Sequence, residues 1–173
     1  MKTEDRCKDV ELILSDVDGV LTGGGIIFDN QGIETKRFHV RDGMGIELWQ
    51  RAGFKFGILT ARTSHVVQLR ANELGIDVIR QGVDAKLSAA KRVIEELGLT
   101  PEQVCYIGDD LPDLALIQTV GLGVAVADAA AEVRDAAVHV TELSGGHGAV
   151  RETIEFVLQQ KGLWEGMIRK FSN

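Results

Sequence analysis

The sequence predicts an α/β fold, in which a doubly wound, mostly parallel sheet carries a projecting β-hairpin. Short apolar runs alternate with longer amphipathic segments, a pattern typical of a parallel sheet with helices on both faces. One stretch, 25–40, breaks this alternation with two β-rich runs. No linker or internal repeat divides the chain, so we expect residues 1–173 to form a single domain.

The apolar runs predict strands, in chain order, at 10–15, 53–59, 76–79, 104–107, 122–126 and 137–140. The amphipathic segments predict helices at 43–52, 64–74, 84–98, 111–119, 129–135 and 147–161. In segment 84–98 the apolar side chains recur on one helical face, and Gly98 provides a stop signal. Trp49 and Tyr106 are expected to pack in the interior.

The stretch 25–40 predicts a hairpin that turns at 30–32, where the sequence is Asn-Gln-Gly. It follows the first strand and can therefore project over the carboxyl edge of the sheet, where open α/β folds bind ligands. The C-terminal tail, about 162–173, is rich in apolar residues for a terminus. We expect it to dock on its own subunit or on a neighbour.

Composition excludes several classes of function. The net charge of −7 disfavours binding to nucleic acid or anionic lipid, so an anionic substrate would need a local basic pocket. No apolar run approaches the roughly 18 residues of a membrane span, and the charged N-terminus lacks the apolar segment of a signal peptide. Cys7 lies in this charged segment and Cys105 in an apolar strand, so we expect free thiols and a cytoplasmic location.

Asp16 and Asp18 directly follow the first predicted strand. In extended backbone, residues i and i+2 face the same side, and two adjacent carboxylates repel unless a cation or a proton intervenes. The pair therefore predicts a divalent-metal site or a nucleophile with its acid. Taken alone, it also fits a turn with two solvated aspartates.

Further candidates follow other predicted strands. Thr60 follows the second strand and could meet a phosphate or simply cap a helix. Lys86 lies near a helix start, where a cation is unfavourable, which suggests a negative partner or a solvated surface lysine. Asp109, Asp110 and Asp113 follow the fourth strand, and hard oxygen donors of this kind suit Mg²⁺, although an acidic turn is the simpler alternative.

Taken together and in this order, these segments resemble the haloacid dehalogenase superfamily of phosphatases. The resemblance narrows to the 3-deoxy-D-manno-octulosonate 8-phosphate phosphatase family over about residues 10–155. The motifs that carry it are His39-Val-Arg-Asp-Gly43, Thr60-Ala-Arg62, Arg70, Gly82-Val-Asp-Ala-Lys86, Gly108-Asp-Asp-Leu111, Val124-Ala-Val-Ala-Asp128 and Gly145-Gly-His-Gly-Ala-Val-Arg151. Predicted elements already fill the chain between the catalytic motifs, which leaves no room for a cap domain.

The resemblance implies a magnesium-dependent phosphoric monoester hydrolase. Mg²⁺ would be held by the Asp16 carboxylate, the Asp18 backbone carbonyl and Asp109. Asp16 would attack phosphorus and form an aspartyl phosphate, while Asp18 moves the proton. Thr60 and Lys86 would neutralise the phosphoryl oxygens. Asp110 and Asp113 would support these groups without touching the substrate.

The resemblance also implies the substrate-binding residues, which are Asp18, His39, Val40, Arg41, Asp42, Gly43, Arg62, Arg70 and Lys86. The arginines suit the carboxylate of a sugar acid, because a guanidinium can bind it through two hydrogen bonds. One position departs from the family, since Glu47 replaces a usual Arg or Lys. Either Glu47 turns away and pairs with Arg51, or the preferred substrate differs.

The implied reaction is hydrolysis of 3-deoxy-D-manno-octulosonate 8-phosphate, a step toward lipopolysaccharide. Two alternatives remain open: a phosphatase for a nine-carbon keto-deoxy sugar acid 9-phosphate, and a non-catalytic binding module. Members of the family exclude water by forming a homotetramer. In this chain the hairpin at 25–40 and the tail at 162–173 are the expected contacts.

Overall fold

The computed structural model describes residues 3–171. Met1, Lys2, Ser172 and Asn173, which belong to the predicted domain and tail, lie outside the described residues. The strands are β1 (Leu12–Ser15), β2 (Ile27–Phe28), β3 (Glu34–Thr35), β4 (Lys55–Leu59), β5 (Val78–Arg80), β6 (Val104–Gly108), β7 (Leu122–Ala125) and β8 (His139–Val140). The helices are α1 (Thr3–Asp9), α2 (Val40–Arg51), α3 (His65–Glu73), α4 (Lys86–Glu96), α5 (Leu114–Ile117), α6 (Ala131–Ala136), α7 (Ala149–Gln160) and α8 (Trp164–Arg169).

The main sheet has six strands in the order β5-β4-β1-β6-β7-β8, and every neighbouring pair is parallel. The predicted doubly wound α/β fold is therefore confirmed. Strand β1 lies inside the sheet between β4 and β6, and all of its residues are buried. Helix α2 packs against α7, helix α4 packs against α5, and both α2 and α4 contact β4. Because β1, β4 and β6 are parallel neighbours, their carboxyl ends lie at one edge of the sheet.

Some predicted boundaries were wrong. The helix predicted at 111–119 is a 3-10 turn, Leu111–Asp113, followed by the short α5. The turn is tight because Asp110 caps it and Pro112 occupies its start. Helix α2 begins at Val40, earlier than predicted, because His39 caps its first turn by accepting a hydrogen bond from the Arg41 amide at 3.3 Å.

The predicted hairpin is present as β2 and β3, which pair antiparallel. The Asp29 carboxylate stabilises the turn by accepting the Gln31 and Ile33 amides, each at 2.8 Å. Four apolar side chains of the hairpin are about half exposed: Ile26, Ile27, Phe28 and Ile33. Exposed apolar surface on a projecting element is typical of a contact site.

The C-terminal tail packs on its own subunit through α8. Met167 is buried, and the Arg151 guanidinium of α7 lies 5.1 Å from the centre of the Trp164 ring. Met44 and Leu48 of α2 line a cleft together with Trp164 and Met167 of α8. The tail thus docks on α2 and α7 of its own chain, as one of the two expected outcomes, while Leu163, Ile168 and Phe171 remain partly exposed.

Both cysteines are free, as predicted, and both are buried. Cys7 lies on α1 and not in an exposed leader, and burial raises the pKa of its thiol to about 11. The described residues include no helix that is long and apolar enough to cross a membrane.

Candidate active site

Asp16 lies immediately beyond β1, at the carboxyl edge of the sheet. Its amide donates to the Ile107 carbonyl at 3.0 Å, so the backbone here remains attached to β6. One carboxylate oxygen, Oδ1, accepts the Val17 amide at 2.7 Å, and the other, Oδ2, lies 2.8 Å from Lys86 Nζ. Burial raises the pKa of Asp16, and the Lys86 charge opposes that rise.

Lys86 begins α4 and is not a solvated lysine. Its side chain is only 3% exposed, and its ammonium lies between Asp16 at 2.8 Å and Asp113 at 2.5 Å. Burial alone would lower the pKa of this ammonium, but the two carboxylates outweigh burial and raise it. The predicted negative partner is confirmed, and Lys86 is held as a cation beside Asp16.

Asp113 is buried and uses both of its oxygens on the protein. Oδ1 accepts from Lys86 and from the Tyr106 hydroxyl, each at 2.5 Å. Oδ2 accepts the amides of Asp109 at 2.9 Å and Asp110 at 3.2 Å. Because four donors already surround it, Asp113 supports Lys86 and the loop after β6, and it has little capacity left for a metal.

Tyr106 was predicted only to pack, and its hydroxyl is a contact that the sequence analysis missed. A buried tyrosine needs a partner for its hydroxyl, and Tyr106 lies on the strand that leads into the acidic turn. Asp110 is exposed, and its carboxylate caps the 3-10 turn by accepting the Leu111 amide at 2.8 Å. This contact supports the turn, and the wider supporting role of Asp110 at the site stays a prediction.

The carboxylate of Asp109 faces that of Asp16. Ligand oxygens of Asp16, Asp109 and Asp113 lie within 4.8 Å of one another. Asp109 Oδ1 is buried and has no hydrogen-bond partner among the described residues 3–171. Burial, reinforced by Asp16 and Asp113, raises the pKa of Asp109 to about 7.

Such a cluster fits a hard divalent cation. Since Asp113 is already satisfied, Asp16 and Asp109 are the side chains that would hold Mg²⁺, and their oxygen donors suit it. The contribution of the Asp18 carbonyl stays a prediction.

Thr60 directly follows β4 and is buried at the same edge. Its amide donates to the Arg80 carbonyl at 2.9 Å. It does not cap a helix, because α3 begins at His65 and Ser64 is its N-cap. A cavity of about 160 Å³ is lined by Asp16, Asp18, Thr60, Ala61, Arg62, Lys86, Asp109, Asp110, Pro112 and Asp113.

Asp18 is enclosed by charged side chains from two directions. Its Oδ1 contacts the Lys36 ammonium, and its Oδ2 lies 3.6 Å from Arg62 Nε. Glu34 of the hairpin in turn contacts Arg62 at 3.0 Å and accepts the Ser64 hydroxyl at 2.5 Å. The sequence did not identify Glu34, Lys36 and Ser64 as neighbours of the site. The sequence of a hairpin alone does not show which part of the sheet its side chains contact.

The predicted substrate segment 39–43 does not line this cavity. Val40 is exposed, and Arg41 lines a separate cavity of about 650 Å³ beside His139 and Arg151. His39 and Gly43 line a third, small cleft together with Arg70, whose guanidinium lies against Gly43.

Asp42 does not line the cavity that contains Asp16, and the substrate contact predicted for it stays a prediction. Asp42 is 1% exposed, and its Oδ1 accepts the Arg151 amide at 2.8 Å, near the start of α7. Its carboxylate is thus a helix-capping group that joins α2 to α7.

Glu47 pairs with Arg51 one helical turn on, at 3.0 Å. This is the first of the two outcomes expected for Glu47. The pair is about half exposed, so it contributes little to stability. The charge of Arg51 nevertheless partly offsets the negative charge at position 47, where this chain differs from the family.

Known proteins resemble this chain over most of its length. The sequence model of the haloacid dehalogenase-like hydrolases matches residues 69–152. The 3-deoxy-D-manno-octulosonate 8-phosphate phosphatase of Yersinia pestis is 43% identical over 161 residues, which cover 93% of this chain and 86% of the relative. The enzyme of the same name from Escherichia coli K12 is 41% identical over 157 residues, covering 91% of this chain and 84% of the relative.

Solved structures with the same fold extend the comparison. The Moraxella catarrhalis 3-deoxy-D-manno-octulosonate 8-phosphate phosphatase, solved with magnesium, phosphate and KDO, superposes with a TM-score of 0.96 at 38% identity, covering 98% of this chain and 97% of that one. The cobalt-bound Haemophilus influenzae phosphatase gives a TM-score of 0.89 at 38% identity, covering 92% and 93%. The chain belongs to the 3-deoxy-D-manno-octulosonate 8-phosphate phosphatase family of haloacid dehalogenase-like hydrolases.

Proposed function

We propose that this chain is a Mg²⁺-dependent phosphatase that hydrolyses 3-deoxy-D-manno-octulosonate 8-phosphate to the free sugar acid and phosphate. The observation that carries the proposal is the position of Asp16. Its carboxylate lies at a strand end, between the buried Lys86 ammonium at 2.8 Å and Asp109 Oδ1, which has no hydrogen-bond partner within residues 3–171. A nucleophilic carboxylate, a fixed cation and a place for a divalent ion are the parts that phosphoryl transfer needs.

The residues of the chain account for both halves of the reaction. An Asp16 oxygen forms a bond to phosphorus as the bond from phosphorus to the sugar oxygen breaks. Asp18 donates a proton to the departing sugar oxygen. Asp18 then takes a proton from the water that attacks the aspartyl phosphate, which releases phosphate and restores Asp16. Thr60 and Lys86 bind the phosphoryl oxygens throughout. When bound, Mg²⁺ supplies charge that offsets the repulsion between Asp16 and the phosphate.

The substrate assignment is supported by the named relatives and by Arg62, which lines the same cavity as Asp16. Its guanidinium is the cation that suits the carboxylate of the sugar acid. Lys86 and Asp18 also line this cavity and would contact the phosphate end. The free thiols of Cys7 and Cys105 are consistent with a cytoplasmic enzyme.

The remaining predicted substrate residues support a homotetramer. Five of them lie outside the cavity that contains Asp16: His39, Val40, Arg41, Gly43 and Arg70. To contact substrate, they would have to reach the corresponding cavity of a neighbouring subunit. The half-exposed apolar side chains of the hairpin, together with the tail, provide the contact surface. Light scattering at micromolar concentration is expected to give the mass of four chains, and a monomer would contradict the assembly.

Phosphate release tests the reaction and its substrate. With Mg²⁺, the wild-type protein should hydrolyse 3-deoxy-D-manno-octulosonate 8-phosphate with a higher kcat/KM than a generic phosphate ester. Asp16→Asn should lose at least about a thousandfold in kcat, because the nucleophile is gone. Full turnover by Asp16→Asn would contradict the mechanism and would leave the non-catalytic binding module as the better interpretation.

A nine-carbon keto-deoxy sugar acid 9-phosphate is the second candidate, which Glu47 leaves open. Glu47 pairs with Arg51 but differs from the usual Arg or Lys of the family, so the preferred sugar acid could differ as well. A higher kcat/KM on the nine-carbon substrate would establish this alternative. Glu47→Lys tests the same position, since improved turnover of the eight-carbon substrate would assign selectivity to it.

A further inference from the structure

Lys36 is buried in a way that its hairpin position does not explain. It follows β3 on the projecting hairpin, yet its side chain is only 1% exposed. A lysine is almost never buried to this degree unless its charge is paired. The partners of Lys36 are Asp18, at the edge of the main sheet, and Glu34, at 3.4 Å on its own hairpin.

These contacts belong to a closed ring of four charges. Lys36 contacts Asp18, and Asp18 Oδ2 lies 3.6 Å from Arg62 Nε. Arg62 contacts Glu34 at 3.0 Å, and Glu34 contacts Lys36 at 3.4 Å, which closes the ring. Two members come from the hairpin and two from the sheet edge. The ring has no net charge, because each cation lies between two carboxylates, so the positive charge of Lys36 beside Asp18 is balanced by Glu34.

The two oxygens of Asp18 have different surroundings within the ring. Lys36 occupies Oδ1, whereas Oδ2 is buried and accepts no hydrogen bond from the residues that the structure describes. Arg62 lies beyond hydrogen-bond distance of Oδ2, at 3.6 Å. A carboxyl group that exchanges a proton with the substrate needs one oxygen held in place and the other free to face the substrate.

We propose that Lys36 is a positioning residue, which holds Asp18 by Oδ1 so that Oδ2 faces the leaving oxygen of the substrate. The proposal rests on the proposed function, because it assigns Lys36 a part in the proton transfer by Asp18. It also gives the hairpin a role inside its own subunit. Lys36 acts through Asp18 and touches neither the phosphate nor the sugar.

The choice of leaving group separates this role from a purely structural one. The sugar alkoxide needs a proton from Asp18 as it departs, whereas p-nitrophenolate leaves readily without one. Lys36→Met keeps the length of the side chain and removes its charge. Because kcat/KM reports only the steps up to departure of the leaving group, it excludes the later hydrolysis in which Asp18 acts for both substrates. We expect Lys36→Met to lower kcat/KM on 3-deoxy-D-manno-octulosonate 8-phosphate at least about tenfold while changing kcat/KM on p-nitrophenyl phosphate less than about threefold.

Arg37→Met is the matched control, because Arg37 is the next residue along and is exposed. It should leave both rates unchanged. Lys36→Arg keeps the charge and should restore the ratio of the two rates toward wild type. In an Asp18→Asn background, Lys36→Met should cause no further loss, because the group that it positions is already absent.

The outcomes are distinct. An equal fall in kcat/KM on both substrates, or no fall on either, would overturn the positioning role while leaving the phosphatase assignment intact. A wild-type protein that releases no phosphate from any ester would overturn both. If Lys36→Met does not fold, Lys36→Gln provides the same comparison of two substrates, because its shorter, uncharged side chain stays polar but cannot hold Asp18 Oδ1 as the ammonium does.

Discussion

The Lys86 ammonium lies 2.8 Å from the Asp16 carboxylate and joins the start of α4 to the end of β1. A lysine at a helix start is locally unfavourable, and the contact shows what compensates for it. Asp16 and Asp113 provide the negative partners, and their fields keep the buried ammonium charged. The pair therefore places a permanent cation beside the proposed nucleophile.

Replacing Lys86 should affect activity much more than replacing a lysine on the same helix. Lys86→Met removes the cation that would neutralise the phosphoryl oxygens, so we expect kcat to fall by about 10²–10³. It also leaves two carboxylates buried without their shared partner, so the unfolding transition in urea should move to lower concentration. Lys91→Met, on the exposed face of α4, is the control and should change neither quantity. Comparable losses from both variants would contradict the assigned role.

The raised pKa of Asp109 predicts opposite pH effects with and without metal. In the metal-free protein the pKa of Asp109 is about 7, against an ordinary value of 3.8, so the folded state holds this proton more tightly than the unfolded state. Stability from this group is present at low pH and is lost as the pH rises toward 7. Thermal denaturation in EDTA should show this decline.

Mg²⁺ competes with the same proton. Its affinity should fall by up to about tenfold per pH unit below pH 7 and level off above it, as measured by the rise in Tm with added Mg²⁺. Asp109→Asn should remove both effects, since it has no proton to lose and offers a weaker ligand. It should also make the metal-free protein more stable at pH 8, because it relieves repulsion with Asp16. A wild-type response to Mg²⁺ in Asp109→Asn would contradict its role as a ligand.

Gly19 is required where the chain turns away from Asp18. Its φ is +97°, and a Cβ there would lie 2.0 Å from Asp109 Oδ2. Gly19→Ala should therefore displace Asp109 and lower both the apparent Mg²⁺ affinity and kcat at least about tenfold, besides costing at least about 1 kcal/mol of stability. Gly166→Ala, on α8, is the control, because a Cβ there would meet nothing within 4 Å. It should leave activity unchanged.

The Tyr106 hydroxyl should contribute to the stability of the acidic turn. Tyr106→Phe removes one of four donors to Asp113, so we expect the free energy of unfolding to fall by about 1–2 kcal/mol. A double-mutant cycle with Asp113→Asn measures the coupling between the two residues. Losses that simply add would show that the hydroxyl acts independently of Asp113.

The sequence by itself determined the fold class and the residues of the acidic edge. Parallel strands place their carboxyl ends together, so Asp16, Thr60 and Asp109 could be assigned to one edge from the strand pattern alone. Lys86 could be added because its helix position was unfavourable without a negative partner. These inferences succeed because hydrophobic periodicity and strand ends are local properties of the chain.

Only the tertiary structure decided which side chains share a cavity. It directed the Asp42 carboxylate to α7, placed Arg41 beside His139 and Arg70 against Gly43, and paired Glu47 with Arg51. It also brought Lys36 and Glu34 from the hairpin onto Asp18 and Arg62. The direction of a hairpin or of a helix face depends on packing between elements far apart in sequence. The periodicity of each element alone does not contain that information.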